Sequence, residues 1–173
     1  MRRAWFGWSI AALVCSGCGS GERITVPLQG TQPNTTLSGT ASVAEVPQGL
    51  KISAHITGAP PGSHGFHIHE KGSCADGGNA AGGHYNPAQV KHGLVTKDGF
   101  SGAHAGDLGN LVVGADGHGS LEAVVPGLTL HGGQYPVAGR ALILHEKPDD
   151  FGQPTGNAGG RIACGVISSP SSD

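Results

Sequence analysis

From residue 23 onward, short runs of alternating apolar and polar residues are broken by turn residues. Ile24, Val26 and Leu28 alternate with Arg23, Thr25 and Pro27, and Leu50, Ile52, Ala54 and Ile56 alternate with Lys51, Ser53 and His55. A period of two is the pattern of a half-buried strand. It predicts strands over 23–28, 36–46, 50–57, 65–69, 111–114, 120–125, 139–145 and 162–167, a number and spacing that suit a β-sandwich or barrel. No window repeats apolar residues at i, i+3, i+4 and i+7 over three turns, so helix is scarce. Asp116-Gly117 signals a hairpin. Residues 70–110 and 146–161 carry no pattern of their own, and loops of that length in a compact domain usually carry function.

Composition sharpens the picture at three points. Length is that of one domain, and 37% hydrophobic residues are enough for an ordinary core. Both tryptophans, Trp5 and Trp8, lie outside the strand region, so the core is built from Val, Ile, Leu and Ala, which suits pleated sheets. With Lys+Arg 10 against Asp+Glu 12 there is no basic excess, which argues against a nucleic-acid partner.

The N-terminus reads as a separate unit. Arg2 and Arg3 precede an apolar run over 4–14 that is too short to span a bilayer, and Cys15 and Cys18 follow. Residues 1–18 are therefore expected to be a secretory signal, 19–22 a short flexible linker, 23–168 the folded domain and 169–173 a tail. Val14-Cys15-Ser16-Gly17-Cys18 resembles a bacterial lipobox, although a Leu is usual where Cys15 stands. Cys18 is thus the expected lipidation site, and the protein is expected to be exported to the periplasm or cell envelope on a lipid anchor. The other reading is a cleaved signal with incidental cysteines. Export would place Cys74 and Cys164 in an oxidising compartment, where they are expected to pair. Closing so long a loop is worth roughly 4 to 5 kcal/mol in the chain-entropy model.

GFHIHE, residues 65–70, puts chemistry on a strand. Phe66 and Ile68 face one side, toward the core, while His67 and His69 face the other. Alternate side chains on one face start about 7 Å apart, and two imidazoles at that spacing can converge on one metal ion. The first patternless stretch adds His84, His92, His104 and Asp107, and the strand at 139–145 ends in His145. Imidazole suits copper and zinc, and a carboxylate can complete a tetrahedral zinc site.

GFHIHE, GGHYNP, KHG, HAGDLGN, LHEKPDD and GNAGGRIACGVI together resemble, in order and over about residues 23–167, the copper/zinc superoxide dismutases. The resemblance implies an all-β fold, an eight-stranded antiparallel Greek-key sandwich or barrel of immunoglobulin-like type with two long functional loops. It implies a copper held by His67, His69, His84 and His145, and a zinc held by His84, His92, His104 and Asp107. His84 is in both sets because the family bridges its metals through one imidazolate, which offers a lone pair at each nitrogen. Arg161 would orient superoxide over the copper, with His84 as the other catalytic residue through its proton. Asp149 would accept hydrogen bonds from the far nitrogens of His67 and His92. Thr155 would line the entrance, and His64 would tie loops at the barrel end.

The implied reaction is dismutation of superoxide to oxygen and hydrogen peroxide. The alternative is a copper-binding or chaperone domain of the same fold without turnover; such domains typically lack a copper ligand or the arginine, both present here. A copper-only enzyme would lack one of His92, His104 and Asp107. The 145–161 segment is short and holds no lysine or glutamate after Lys147, so the charges that steer superoxide are partly missing. The family pairs through different surfaces, which leaves monomer and homodimer both open. His55, His118 and His131 are expected to be solvated.

Overall fold

The structure is a computed structural model and describes residues 21–168. Cys18, the signal reading over 1–18 and the tail at 169–173 lie outside the described residues. Ten strands follow in chain order: β1 (Arg23–Gly30), β2 (Ser38–Val46), β3 (Gly49–Thr57), β4 (Gly62–His69), β5 (Asp107–Val113), β6 (Gly119–Val125), the two-residue β7 (Leu128–Thr129) and β8 (Tyr135–Pro136), β9 (Ala141–His145) and β10 (Arg161–Val166). Eight of them close an antiparallel barrel in the order β1-β10-β9-β4-β5-β6-β3-β2, while β7 and β8 form a separate parallel pair. The links from β3 to β4 and from β6 to β9 pass between strands that are not neighbours, as in a Greek key. The seam is short: the β1–β10 ladder holds two pairs, Gln29 with Cys164 and Gly30 with Ala163.

Alternation decides what lies inside. Ile24, Val26 and Leu28 of β1, Leu50, Ile52 and Ile56 of β3, Phe66 and Ile68 of β4, and Leu142 and Leu144 of β9 fill one core. Each such side chain contributes about 1.5–3 kcal/mol by leaving water. A smaller cluster of Ala81, Ala141, Ile143 and Cys164 packs on the outer face of β9 and β10. It is covered by the loop that follows β4, which the Cys74–Cys164 disulfide fixes across a sequence separation of 90.

All eight predicted barrel strands are present with ends shifted by a few residues, and two departures bear on function. The 70–110 stretch is not structureless: it carries a 3-10 turn over Asp76–Ala81 and one helical turn over Val95–Asp98. Its last residues belong to β5, which begins at Asp107 and not at 111. Asp107 thus sits on a strand, paired with His67, with a register irregularity between Gly65 and His67.

Candidate metal centre

His67 and His69 leave the barrel on its outer face, as alternation requires, yet they are not solvated there: His67 is 0% and His69 1% exposed. The two long loops fold over β4 and bury the whole face. His84 arrives on the first loop, bridged to His69 in a single antiparallel pair. His145 arrives at the end of β9. His92 and His104 come from the same loop as His84, and Asp107 from the first position of β5. All seven are buried.

Two sets of donors result. One donor atom each from His67, His69, His84 and His145 lie within 4.8 Å of one another, and so do donors from His84, His92, His104 and Asp107. His84 belongs to both. The ring contacts follow: His67 and His84 centroids are 4.1 Å apart, His84 and His92 5.3 Å, and His84 and His104 5.5 Å.

Hydrogen bonds to the far nitrogens fix which atoms face inward. His69 donates through Nδ1 to the carbonyl of Gly82 at 2.9 Å, and His145 through Nδ1 to that of Gly159 at 3.3 Å. With both Nδ1 atoms donating, their Nε2 atoms face each other at 3.2 Å with lone pairs that one cation could share. His67 donates through Nε2 to Asp149 Oδ2 at 2.9 Å, and His92 through Nε2 to Asp149 Oδ1 at 2.9 Å. The Nδ1 atoms of His67, His92 and His104 are buried without a hydrogen-bond partner among the described residues. His92 Nδ1 and His104 Nδ1 lie 2.8 Å and 3.2 Å from Asp107 oxygens but off the line of a hydrogen bond. Orphaned imidazole nitrogens converging on a carboxylate are the donor set of zinc, and a cluster of imidazoles alone suits copper. The residues present fit both metals.

Electrostatics keep most of these rings ready to ligate. Burial pushes His69 down to about 2, His145 to about 3 and His84 to about 4, so all three are neutral at pH 7. Burial also lowers His92, but the carboxylates of Asp107 and Asp149 on either side outweigh it and hold the ring at about 9. Asp107 resists burial through His104, His84 and His92 and stays well below the usual carboxylate range. Asp149 is likewise lowered, by His67, His92 and the Phe151 N–H.

Asp149 is itself positioned by Asn110. The Asn110 side chain receives the Asp149 N–H at 2.7 Å and donates to its carbonyl at 2.9 Å. Gly156, with φ +75, passes so close that a Cβ there would overlap Asp149 Oδ1. Asn110 and Gly156 lie inside the HAGDLGN and GNAGG motifs, but their roles emerge only from contacts between distant loops. Arg140 lies over the Tyr85 ring, 3.4 Å from its centroid, and donates to the Glu70 carbonyl at 2.8 Å, clamping the residue after His84. His64 ties the barrel end, its ring nitrogens 2.9 Å from the carbonyls of Pro60 and His145.

Arg161 donates through Nη1 to the Gly78 carbonyl at 2.6 Å and through Nη2 to the Gly82 carbonyl at 2.5 Å. Its charge lowers His69 and His145, which places it electrostatically beside the first set. Burial lowers Arg161 from its ordinary 12.5, and an arginine remains a cation at neutral pH. Thr155 is exposed.

The sequence profile of the copper/zinc superoxide dismutases matches residues 37–167. This chain belongs to that family. Copper and zinc are the metals in the family's name, and both donor sets lie within the matched residues. Over 140 residues it is 43% identical to the extracellular superoxide dismutase [Cu-Zn] of Caenorhabditis elegans; these are 77% of this chain and 62% of that protein's length. Among solved structures it resembles the clock protein EA4, with TM-score 0.74, 37% identity and coverage of 88% of this chain and 97% of that one. It also resembles a SOD-like protein from Bacillus subtilis, with TM-score 0.71, 37% identity and coverage of 83% and 97%.

Proposed function

We propose that this protein is an exported copper/zinc superoxide dismutase. The observation that carries the reading is the meeting of two four-residue donor sets at one shared ring, His84, with the half-buried Arg161 close enough for its charge to act on His69 and His145. His67, His69, His84 and His145 would hold copper, and His84, His92, His104 and Asp107 would hold zinc. Copper, when bound, supplies a one-electron couple that oxidises one superoxide to oxygen and reduces a second to hydrogen peroxide, while zinc has no accessible redox state.

The chain's own residues do the rest. Arg161 draws the anion by charge and orients it through N–H groups whose fork is braced on the Gly78 and Gly82 carbonyls. His84, the one ring shared by both donor sets, would carry a proton to the departing product. Asp149 fixes the rings of His67 and His92 together, so that the two sets keep a common geometry. The full donor sets and Arg161 speak against a copper-binding domain without turnover.

Export is supported by the signal-like N-terminus and by the extracellular name of the worm relative. Lipidation at Cys18 would anchor the domain at 23–168 to a membrane through the linker at 19–22. The deciding experiment is metal content and dismutase activity measured on one purified sample: equal copper and zinc with activity is the expected result, and a copper- and zinc-loaded sample without activity overturns the reading. His84→Ala is expected to lower zinc retention and alter the copper spectrum together; a change in copper alone would remove the shared-ligand assignment.

A further inference from the structure

We propose that the outer face of the β3–β6 ladder carries a surface site for a divalent first-row transition metal, with His55 and His118 as its protein ligands. The site is separate from the buried centre and does not depend on the dismutase reading.

Register brings the two rings together. His55 of β3 stands opposite Ser120 of β6, and both point outward because Ala54 and Ile56 beside His55 are buried. His118 lies two residues before Ser120, and its carbonyl accepts the Gly114 N–H at 2.8 Å, so it continues the strand and shares Ser120's outward face. His55 and His118 are thus diagonal cross-strand neighbours. Such positions are about 7–8 Å apart at the backbone, within reach of long side chains. That is the separation from which two imidazoles can turn onto one ion, and both residues line one shallow groove of about 280 Å³.

The surroundings favour a cation. The rest of the groove is Ile56, Thr57, Val112, Gly119 and Ser120, with no lysine or arginine to repel it. Neither ring has a hydrogen-bond partner among the described residues, so each offers a nitrogen. The carboxylate of Asp116 sits beside His118, accepting its N–H at 3.1 Å, and adds negative potential. On its other side His55 shares a second groove with two cations, of which Lys51 is drawn to Glu122 at 2.8 Å and Arg23 to the Ser42 hydroxyl at 3.1 Å. Two imidazoles with water in the remaining positions suit Cu(II) best among the divalent ions, with zinc and nickel weaker.

The test uses the full chain, loaded with copper and zinc, freed of unbound ions and carrying no affinity tag. Titration with Cu(II) is expected to show one further equivalent bound and paramagnetic broadening of the His55 and His118 ring signals. His55→Ala and His118→Ala should each weaken that uptake by about tenfold or more, while dismutase activity stays unchanged. Both rings are exposed, so neither substitution disturbs the core. His131→Ala, at a histidine outside the groove, should leave uptake intact. No further equivalent, uptake indifferent to both groove variants, or broadening confined to other histidines overturns the proposal.

Discussion

Arg161 stands directly opposite His145 at the end of the β9–β10 ladder, set off from the other pairs by a register irregularity. The cation and the imidazole are therefore set by the same backbone pairing and cannot drift apart without breaking the sheet. The irregularity between Arg161 and Ala163 frees the arginine to turn toward the loop carbonyls.

That placement separates attraction from ligation. Arg161→Lys keeps the charge but loses the planar fork, so dismutase activity should fall moderately. Arg161→Glu reverses the local field and should lower it much further. Both variants should retain wild-type copper and zinc, and the wild-type rate should fall as salt rises. Assays of the three proteins over a range of ionic strength decide it; near wild-type activity in the fully metallated Glu variant would take Arg161 out of the site.

Asp149 joins rings from both donor sets, so its loss should be felt at both. Asp149→Ala is expected to cost about 10–100-fold in metal affinity or activity. Gly156→Ala, which introduces a Cβ into the space of Asp149 Oδ1, should reproduce part of that loss without removing any polar group. Retention of both metals against a chelator measures the effect, and a wild-type result for Gly156→Ala would show that Asp149 can shift freely.

The disulfide holds the loop whose carbonyls brace Arg161. Cys74→Ser should cost roughly 4 kcal/mol, a fall of about 10 °C in melting temperature at this size. Activity should drop further than metal content, because Gly78 and Gly82 lose their anchor. An unchanged melting temperature under non-reducing conditions would be incompatible with this account.

In the metal-free protein the histidines act on stability with opposite signs. His69, His84 and His145 are held by burial at about 2, 4 and 3 against 6.5 when unfolded, so stability falls as pH drops below 6.5. His92, held at about 9 by its carboxylates against burial, contributes fully below 6.5 and loses that contribution as pH climbs through 9. Urea midpoints of the metal-free protein should therefore peak at roughly pH 6–7 and fall more steeply on the acid side, where three groups act against one. A midpoint that is flat from pH 4 to 9 would contradict the buried neutral rings.

How far the sequence carries is shown by β4. The alternation of Phe66 and Ile68 with His67 and His69 gave the strand, its inner face and two ligand candidates. It could not give the burial of those histidines, because the covering loops have no periodicity. Their shape comes from glycines at positive φ, such as Gly82 and Gly156, and from contacts such as Asn86 with Val90. Asp107 was legible as a candidate ligand but not as a strand residue. Residues 107–110 fall in the stretch without periodicity, with Gly109 at φ +90, and pair with β4 only across an irregular register. Asn110 and Gly156 support Asp149 over long sequence distances, where no local pattern exists.

The short β1–β10 seam has a consequence for solubility. The β1–β10 ladder closes over two residue pairs and Gly165 of β10 packs on the Pro27 carbonyl, so from Arg23 up to that contact β1 is laddered to β2 alone and forms a strand edge. Such an edge is a template on which another chain can add a strand. Pro27, which has no N–H to offer, and the charge of Arg23 sit in that stretch, as residues do where strand addition has to be discouraged. Replacing Pro27 would leave the buried centre untouched and would instead make this edge a place for copies to stack.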